Sequence, residues 1–190
     1  MDNSLKKKLI FGKYKILKLI EKGSFGEVYL GKNIINEKLY AIKIENQCNE
    51  LLLLEREAFI LYNIRGQGIP SLISYGYCGK FNILIETLLG KSLEQIWKEN
   101  NKKLNTKDIC MIAIQTIDRI EHIHSKDYIH RDIKPANFLV GNPDNSQIYI
   151  FHWLSLLILA ILENIEVREQ ENILNLLKLI EFLELQYIYH

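Results

Sequence analysis

Between Tyr14 and Lys43 apolar and polar residues alternate in three short runs, "YKILKLI", "EVYLGKN" and "LYAIKIE", separated by "EKGSFG" and "NIINEK". A period of two sends successive side chains to opposite faces of an extended chain, so this region predicts strands joined by turns. In "NELLLLEREAFILYNI" (49–64) the period changes: Leu51, Leu54, Ala58 and Leu61 recur at helical spacing and share one face. Residues 66–88, "GQGIPSLISYGYCGKFNILIETL", return to short strands punctuated by Gly and Pro. A long helical pattern then runs from about Thr106 to Ser125, with Ile109, Ile112, Ala113, Ile117, Ile120 and Ile123 three or four apart. The order is a β-rich lobe carrying one helix, a connector near 86–92, and a helical lobe, with no internal repeat.

The pattern changes again after about residue 150. Gly141 is the last glycine and Pro143 the last proline, and residues 151–190 hold 11 Leu and 6 Ile. Charge divides at the same place: residues 1–150 carry 22 Lys+Arg against 17 Asp+Glu, whereas 151–190 carry 2 against 6. The whole chain has 190 residues and a net charge of +1, which gives no general reason to expect nucleic acid or an anionic membrane as partner. Cys48, Cys78 and Cys110 are widely spaced and fit buried thiols in a reducing compartment better than disulfides or zinc. The start, "MDNSLKKKLIFGKYKIL", lacks an apolar signal-peptide core, and the apolar run Trp153 to Leu162 is too short to span a bilayer. A cytoplasmic or nuclear location is expected, and the oligomeric state is left open.

Two patterns bear on chemistry. Gly23 and Gly26 in "EKGSFGEVYLG" sit in a turn between strands, where backbone N–H groups can meet phosphate oxygens; a plain hairpin turn fits equally. Lys43 in "YAIK" lies on the strand after that hairpin, either as a surface lysine at a strand end or as a buried cation that needs an anionic partner. Glu55 in the next helix can supply the anion, and phosphates can accept the remaining donors. Glu57 is the second candidate, on another side of that helix.

"HRDIKPAN" (130–137) is far more specific, because Asp132 and Asn137 have the H-R-D-x-x-x-x-N spacing of a phosphoryl-transfer loop. Here the sequence resembles the eukaryotic protein kinase family, and within it casein kinase 1 most of all. The narrower resemblance rests on "GKYKILKLIEKGSFGEVYLG", "GIPSLISYG", "LIETLLGKSLEQIW" and "RIEHIHSKDYIHRDIKPANFLVG". It implies an α+β, protein-kinase-like two-lobed fold, with an antiparallel N-lobe sheet plus one helix and an incomplete helical C-lobe. The expected divisions are an N-terminal extension (1–11), a partial kinase domain (12–150, with its N-lobe to about 88) and a divergent tail (151–190). The implied activity is transfer of the ATP γ-phosphate to Ser/Thr hydroxyls of protein substrates, with ATP and Mg²⁺ as cofactors. The alternative is an inactive pseudokinase or fragment that only binds nucleotide or partners.

Carried onto this sequence, the resemblance makes Gly23, Ser24, Phe25 and Gly26 the phosphate-covering loop. Ile20, Val28 and Ala41 fall among the nucleotide-binding positions, and Lys43 would hold the α/β-phosphates, oriented by Glu55. Backbone groups of Glu86 and Leu88 would meet adenine in a hinge spanning Ile85 to Leu88. Asp132 would accept the substrate hydroxyl proton, Lys134 would steady the transferring phosphoryl group and Asn137 would ligate Mg²⁺.

Two departures stand out. Glu21 replaces the first loop glycine, an anion that a solvent-facing rotamer makes tolerable. After "IYI" (148–150) the family continues with an aspartate that chelates Mg²⁺, where this chain has His152, and neutral imidazole is a poor ligand for so hard a cation. The family's activation segment does not follow. Read one base earlier, codons permitted for Glu184 to His190 spell Gly-Thr-Ala-Ile-Tyr-Ile-Ser, close to the family's Gly-Thr-Ala-Arg-Tyr-Ala-Ser. The tail is therefore expected to be frame-shifted or unspliced sequence, with a genuine leucine-rich helix over 171–185 as the competing reading.

Overall fold

The computed structural model describes residues 8–23, 26–47, 53–141, 147–150 and 157–158. The chain divides into two units: one comprises 1–65 with 70–89, the other 66–69 with 90–190.

The alternating runs of the first unit form a five-stranded antiparallel sheet in the order β1-β2-β3-β5-β4. The strands are β1 (Tyr14–Lys22), β2 (Glu27–Asn33), β3 (Leu39–Asn46), β4 (Leu72–Cys78) and β5 (Phe81–Thr87). One face carries the apolar core, in which Tyr14, Ile16, Tyr29, Ile42, Ile44, Ile83 and Ile85 are all buried. Gly31 on β2 belongs to this packing: a Cβ there would lie 2.1 Å from the Ile42 side chain, so the position admits no larger residue. On β3 and β5 the intervening residues are also buried, but several of them are polar: Lys43, Glu45, Asn82 and Glu86.

Helix α1 (Leu53–Ile64) follows β3 and buries Leu54, Glu57, Ala58, Ile60, Leu61 and Ile64. Glu45 caps its start: Oε1 accepts from Leu53 N at 3.2 Å and Oε2 from Leu54 N at 3.3 Å. An anion at a helix N-terminus satisfies otherwise orphaned N–H groups and complements the helix dipole. Asn82 Nδ2 donates to Glu45 Oε2 at 3.3 Å, tying the cap to β5. Leu51, expected on the apolar face of this helix, lies outside the described residues.

Strand β6 (Leu89–Ser92) starts at the last residue of the first unit, and the second unit contains the rest of it, helices α2 (Leu93–Glu99) and α3 (Thr106–His124), and the strands β7 (Tyr128–Ile129), β8 (Phe138–Gly141) and β9 (Ile148–Ile150). A short β10 (Leu157–Ile158) pairs antiparallel with β7, while β6, β8 and β9 form a three-stranded sheet. Helix α2 begins with a capping box, Gln95 N donating to Ser92 Oγ and Ser92 N donating to Gln95 Oε1.

Helix α3 matches its periodicity with one correction. Ile117 is exposed, and Thr116 and Arg119 are buried instead. Both polar side chains find partners: Thr116 Oγ1 donates to the carbonyl of Ile112 at 2.8 Å, and Arg119 Nε donates to the carbonyl of Ile148 at 3.1 Å. The expectation of buried thiols is also corrected, since Cys110 is exposed and Cys78 only half-buried; Cys48 lies outside the described residues.

Candidate active site

The first cluster lies on the polar face of β3 and β5. Their antiparallel register sets Ala41 against Glu86, Lys43 against Leu84 and Glu45 against Asn82. Lys43 and Glu86 are thus diagonal neighbours on one face, close enough for long side chains to meet. Lys43 Nζ lies 2.9 Å from Glu86 Oε1 and 2.5 Å from Glu57 Oε1, so it holds two carboxylates at once. All three side chains are buried. Burial pushes the Lys43 ammonium pKa down, but Glu57 and then Glu86 outweigh it, and the net shift is upward. Burial pushes the Glu86 carboxyl up to about 7, with Lys43 opposing and Glu57 reinforcing the shift.

This geometry corrects the partner expected for Lys43. Glu55 is exposed and Glu57 is buried against Lys43. Two residues along an α-helix rotate a side chain by about 200°, so Glu55 and Glu57 cannot share a face. Glu57 lies three residues after Leu54 and four before Leu61, within the apolar stripe already visible in the sequence. That spacing was the signal for Glu57.

Glu86 sits within β5, paired with Ala41 on one side and Leu72 on the other. Its side chain is the part that enters the cluster. Thr87, the last residue of β5, donates its N–H to Ser71 O at 3.1 Å, and Leu88 follows it half-buried.

The glycine turn joins β1 to β2, and Gly23 N donates to Gly26 O at 2.9 Å. A Cβ on Gly26 would meet the Ile44 carbonyl oxygen at 2.6 Å, so the close approach of this turn to β3 requires glycine. Ser24 and Phe25 lie outside the described residues. Glu21 is exposed on β1 opposite Val28, the outward setting expected of a tolerated anion. Around this turn Ile20 is exposed, Val28 half-buried and Ala41 buried.

The second cluster is the loop between β7 and β8. Lys134 Nζ lies 2.7 Å from Asp132 Oδ2. Asn137 Nδ2 donates both to that oxygen at 2.9 Å and to the Asp132 carbonyl at 2.7 Å. A single turn of 3₁₀-helix, Pro135–Asn137, brings Asn137 back over Asp132. The buried His130 accepts from Asp132 N through Nδ1 at 3.3 Å. Arg131 between them has φ 65°, a left-handed conformation that is strained for any residue with a Cβ. Burial raises the Asp132 pKa, but hydrogen bonds from Lys134 and Asn137 outweigh it and hold the carboxyl below its ordinary value. Asp132 is consequently an anion at neutral pH with one oxygen less engaged, the state needed to accept a hydrogen bond from a hydroxyl.

Strand β9, which leads to position 152, is fixed from three directions. Ile148 N donates to Gln115 Oε1 at 2.8 Å, Ile148 O accepts from Arg119, and Ile150 N donates to Gly68 O at 2.9 Å. Gly68 has φ 75°, and a Cβ there would overlap the Arg119 guanidinium at 1.8 Å. Sequence reasoning missed Gln115, Arg119 and Gly68, whose partners lie tens of residues away.

The cofactors fit unequally. With Nδ2 turned to Asp132, the atom Asn137 can offer a cation is its amide oxygen Oδ1, a hard ligand suited to Mg²⁺. Among the described residues no group of three His, Cys, Asp or Glu side chains is placed to hold a metal ion. His152, the expected second position, lies outside the described residues. The polar groups fit a nucleotide at Lys43 and the glycine turn, but they do not by themselves make a metal site.

A family model described as the protein kinase domain matches residues 14–153, from the first residue of β1 to just beyond β9. The match takes in the glycine turn, Lys43 with Glu57, and the Asp132–Asn137 loop in their family order. Both this match and the geometry of the two clusters lead to one conclusion: the chain belongs to the protein kinase family.

Proposed function

We propose that this chain is a casein kinase 1-like serine/threonine protein kinase domain that binds ATP through the glycine turn and Lys43 and presents Asp132 to a substrate hydroxyl. The observation that carries the reading is the catalytic loop, in which Lys134 and Asn137 hold an ionised Asp132. Serine/threonine preference and the casein kinase 1 likeness are supported by the sequence strings around residues 12–31, 68–76, 84–97 and 119–141. In this reading Asp132 orients the hydroxyl and takes its proton, Lys134 meets the transferring phosphoryl group, and Lys43 holds the α/β-phosphates. Mg²⁺, when bound, would neutralise phosphate charge. No step here depends on it, because the described residues supply a single hard ligand, Asn137.

His152 favours a second reading, a pseudokinase that binds nucleotide without transferring phosphate. Purified 1–190 assayed with radiolabelled ATP and casein separates the two. Turnover abolished by Asp132→Asn supports the kinase. ATP binding without turnover, with phosphotransfer appearing in His152→Asp, supports the pseudokinase. Absence of both ATP binding and turnover refutes both readings.

A further inference from the structure

Lys43 is the cation assigned to nucleotide phosphates, yet two carboxylates already occupy it. Glu57 comes from α1 and Glu86 from β5, both within ion-pair distance, and the cluster is closed from solvent. Among the described residues the charged groups facing Glu86 are Lys43 from β3 and Glu57 from α1; β4, its other neighbour, sets Leu72 opposite it. With every group ionised the cluster carries one excess negative charge, and a phosphate at Lys43 would add more. Burying uncompensated like charge is among the costliest arrangements in a protein. Glu86 is also the least supported of the three: neither carboxylate oxygen has a well-aligned hydrogen-bond donor among the described residues. Glu57, in contrast, accepts a hydrogen bond from Lys43.

We infer that Glu86 is a positioning residue that competes with nucleotide phosphate for Lys43, so that nucleotide binding is coupled to uptake of one proton at Glu86. This rests on the nucleotide-binding reading above and deepens it. When phosphate approaches, Lys43 keeps Glu57 and exchanges Glu86 for a phosphate oxygen. Glu86 then remains as a neutral carboxylic acid in a buried site, where the charged form is disfavoured. Burial and Glu57 already place this carboxyl near pH 7, so the proton is available close to neutrality.

The test is isothermal titration of ATP with MgCl₂ into the 190-residue chain between pH 6 and 8.5, in buffers of different ionisation enthalpy. A requirement for neutral Glu86 with a titration point near 7 weakens wild-type ATP binding about tenfold from pH 6 to pH 8. Net uptake should be about half a proton per ATP at pH 7 and approach one at pH 8, after subtraction of the nucleotide's own titration as seen in Glu86→Gln. Glu86→Gln, which keeps the shape and removes the charge, should bind ATP about tenfold more tightly than wild type at pH 8 and equally at pH 6. Equal affinities and equal pH slopes in the two proteins overturn the inference while leaving the nucleotide site intact. ATP binding absent from both overturns the nucleotide reading and the inference with it. Should Glu86→Gln fail to fold, wild-type proton uptake decides alone, and zero uptake refutes the coupling.

Discussion

Replacing Lys43 with Met removes a charge shared by two buried carboxylates while leaving most of the side-chain volume. The simple expectation for a ligand-contacting lysine is loss of function without loss of fold. The geometry gives a different answer, because Glu57 and Glu86 would be stranded in a site closed to water. A stranded carboxylate escapes by protonating, which costs about 1.4 kcal/mol for each pH unit above its ordinary value near 4.3. At pH 7.5 that is about 4 kcal/mol for one stranded carboxylate, falling to about 1 kcal/mol at pH 5. Glu86 adds less, since burial and Glu57 have already moved it to about 7 in the intact cluster. The sign follows from proton linkage. A carboxyl whose folded pKa is raised penalises folding above its unfolded pKa, and the penalty grows with pH until the raised value is passed. Lys43→Met should therefore be less stable than wild type by about 3–5 kcal/mol at pH 7.5 and by about 1 kcal/mol at pH 5. Urea unfolding followed by circular dichroism measures both. The triple variant Lys43→Met, Glu57→Gln, Glu86→Gln removes the stranded charge and should recover most of the loss. A deficit below about 1 kcal/mol at pH 7.5, or one that does not change with pH, would refute the reasoning.

Four further outcomes follow from the second unit and the loop holding Asp132. Gly68→Ala forces a Cβ into the Arg119 side chain at a positive φ, and should destabilise by at least about 2 kcal/mol in urea. Arg119→Met should relieve that clash but leave the Ile148 carbonyl without its donor, at about 1–3 kcal/mol. Asn137→Ala removes two hydrogen bonds to Asp132, so the Asp132 pKa should rise toward the ordinary aspartate value, read by carboxyl carbon NMR. An unchanged titration would show that Lys134 alone sets the charge. Ser92→Ala breaks the capping box of α2 and should cost about 1 kcal/mol in the same urea assay, partly restored by Ser92→Asp.

The sheet and the two longer helices were legible because their side-chain periods follow burial on one face. Where the reading failed, the cause was a partner remote in sequence. Ile117 looks like a core position by spacing, yet Thr116 and Arg119 take the buried face, and Arg119 does so to hold Ile148, 29 residues away. The helix Leu93–Glu99 spans only seven residues, too few for an apolar stripe to repeat, though Ser92 and Gln95 announce its start. Glu57 lies within the same apolar periodicity that marks α1, on the side of the helix opposite Glu55, and it is that side which packs against Lys43. Glu86 could not have been found that way. Its part depends on register, which sets it diagonal to Lys43 only because β5 pairs antiparallel with β3 with Ala41 opposite Glu86.

The two clusters differ in what they depend on. The carboxylates paired with Lys43 lie on α1 and β5, and the groups holding Asp132 lie between residues 130 and 137. Among the described residues these partners all precede 150, and the sequence departs from the family pattern at His152. The support of β9 ends at the same point: Gln115, Arg119 and Gly68 fix Ile148 and Ile150, so the backbone is delivered in order to the place where the family supplies its metal carboxylate. Substitution of that carboxylate by imidazole changes the chemistry offered to a cation. On the proposed function, nucleotide binding at Lys43 and phosphoryl transfer at Asp132 can therefore be tested separately. The first is governed by how Lys43 divides itself among Glu57, Glu86 and phosphate, and the second by what position 152 can offer a cation.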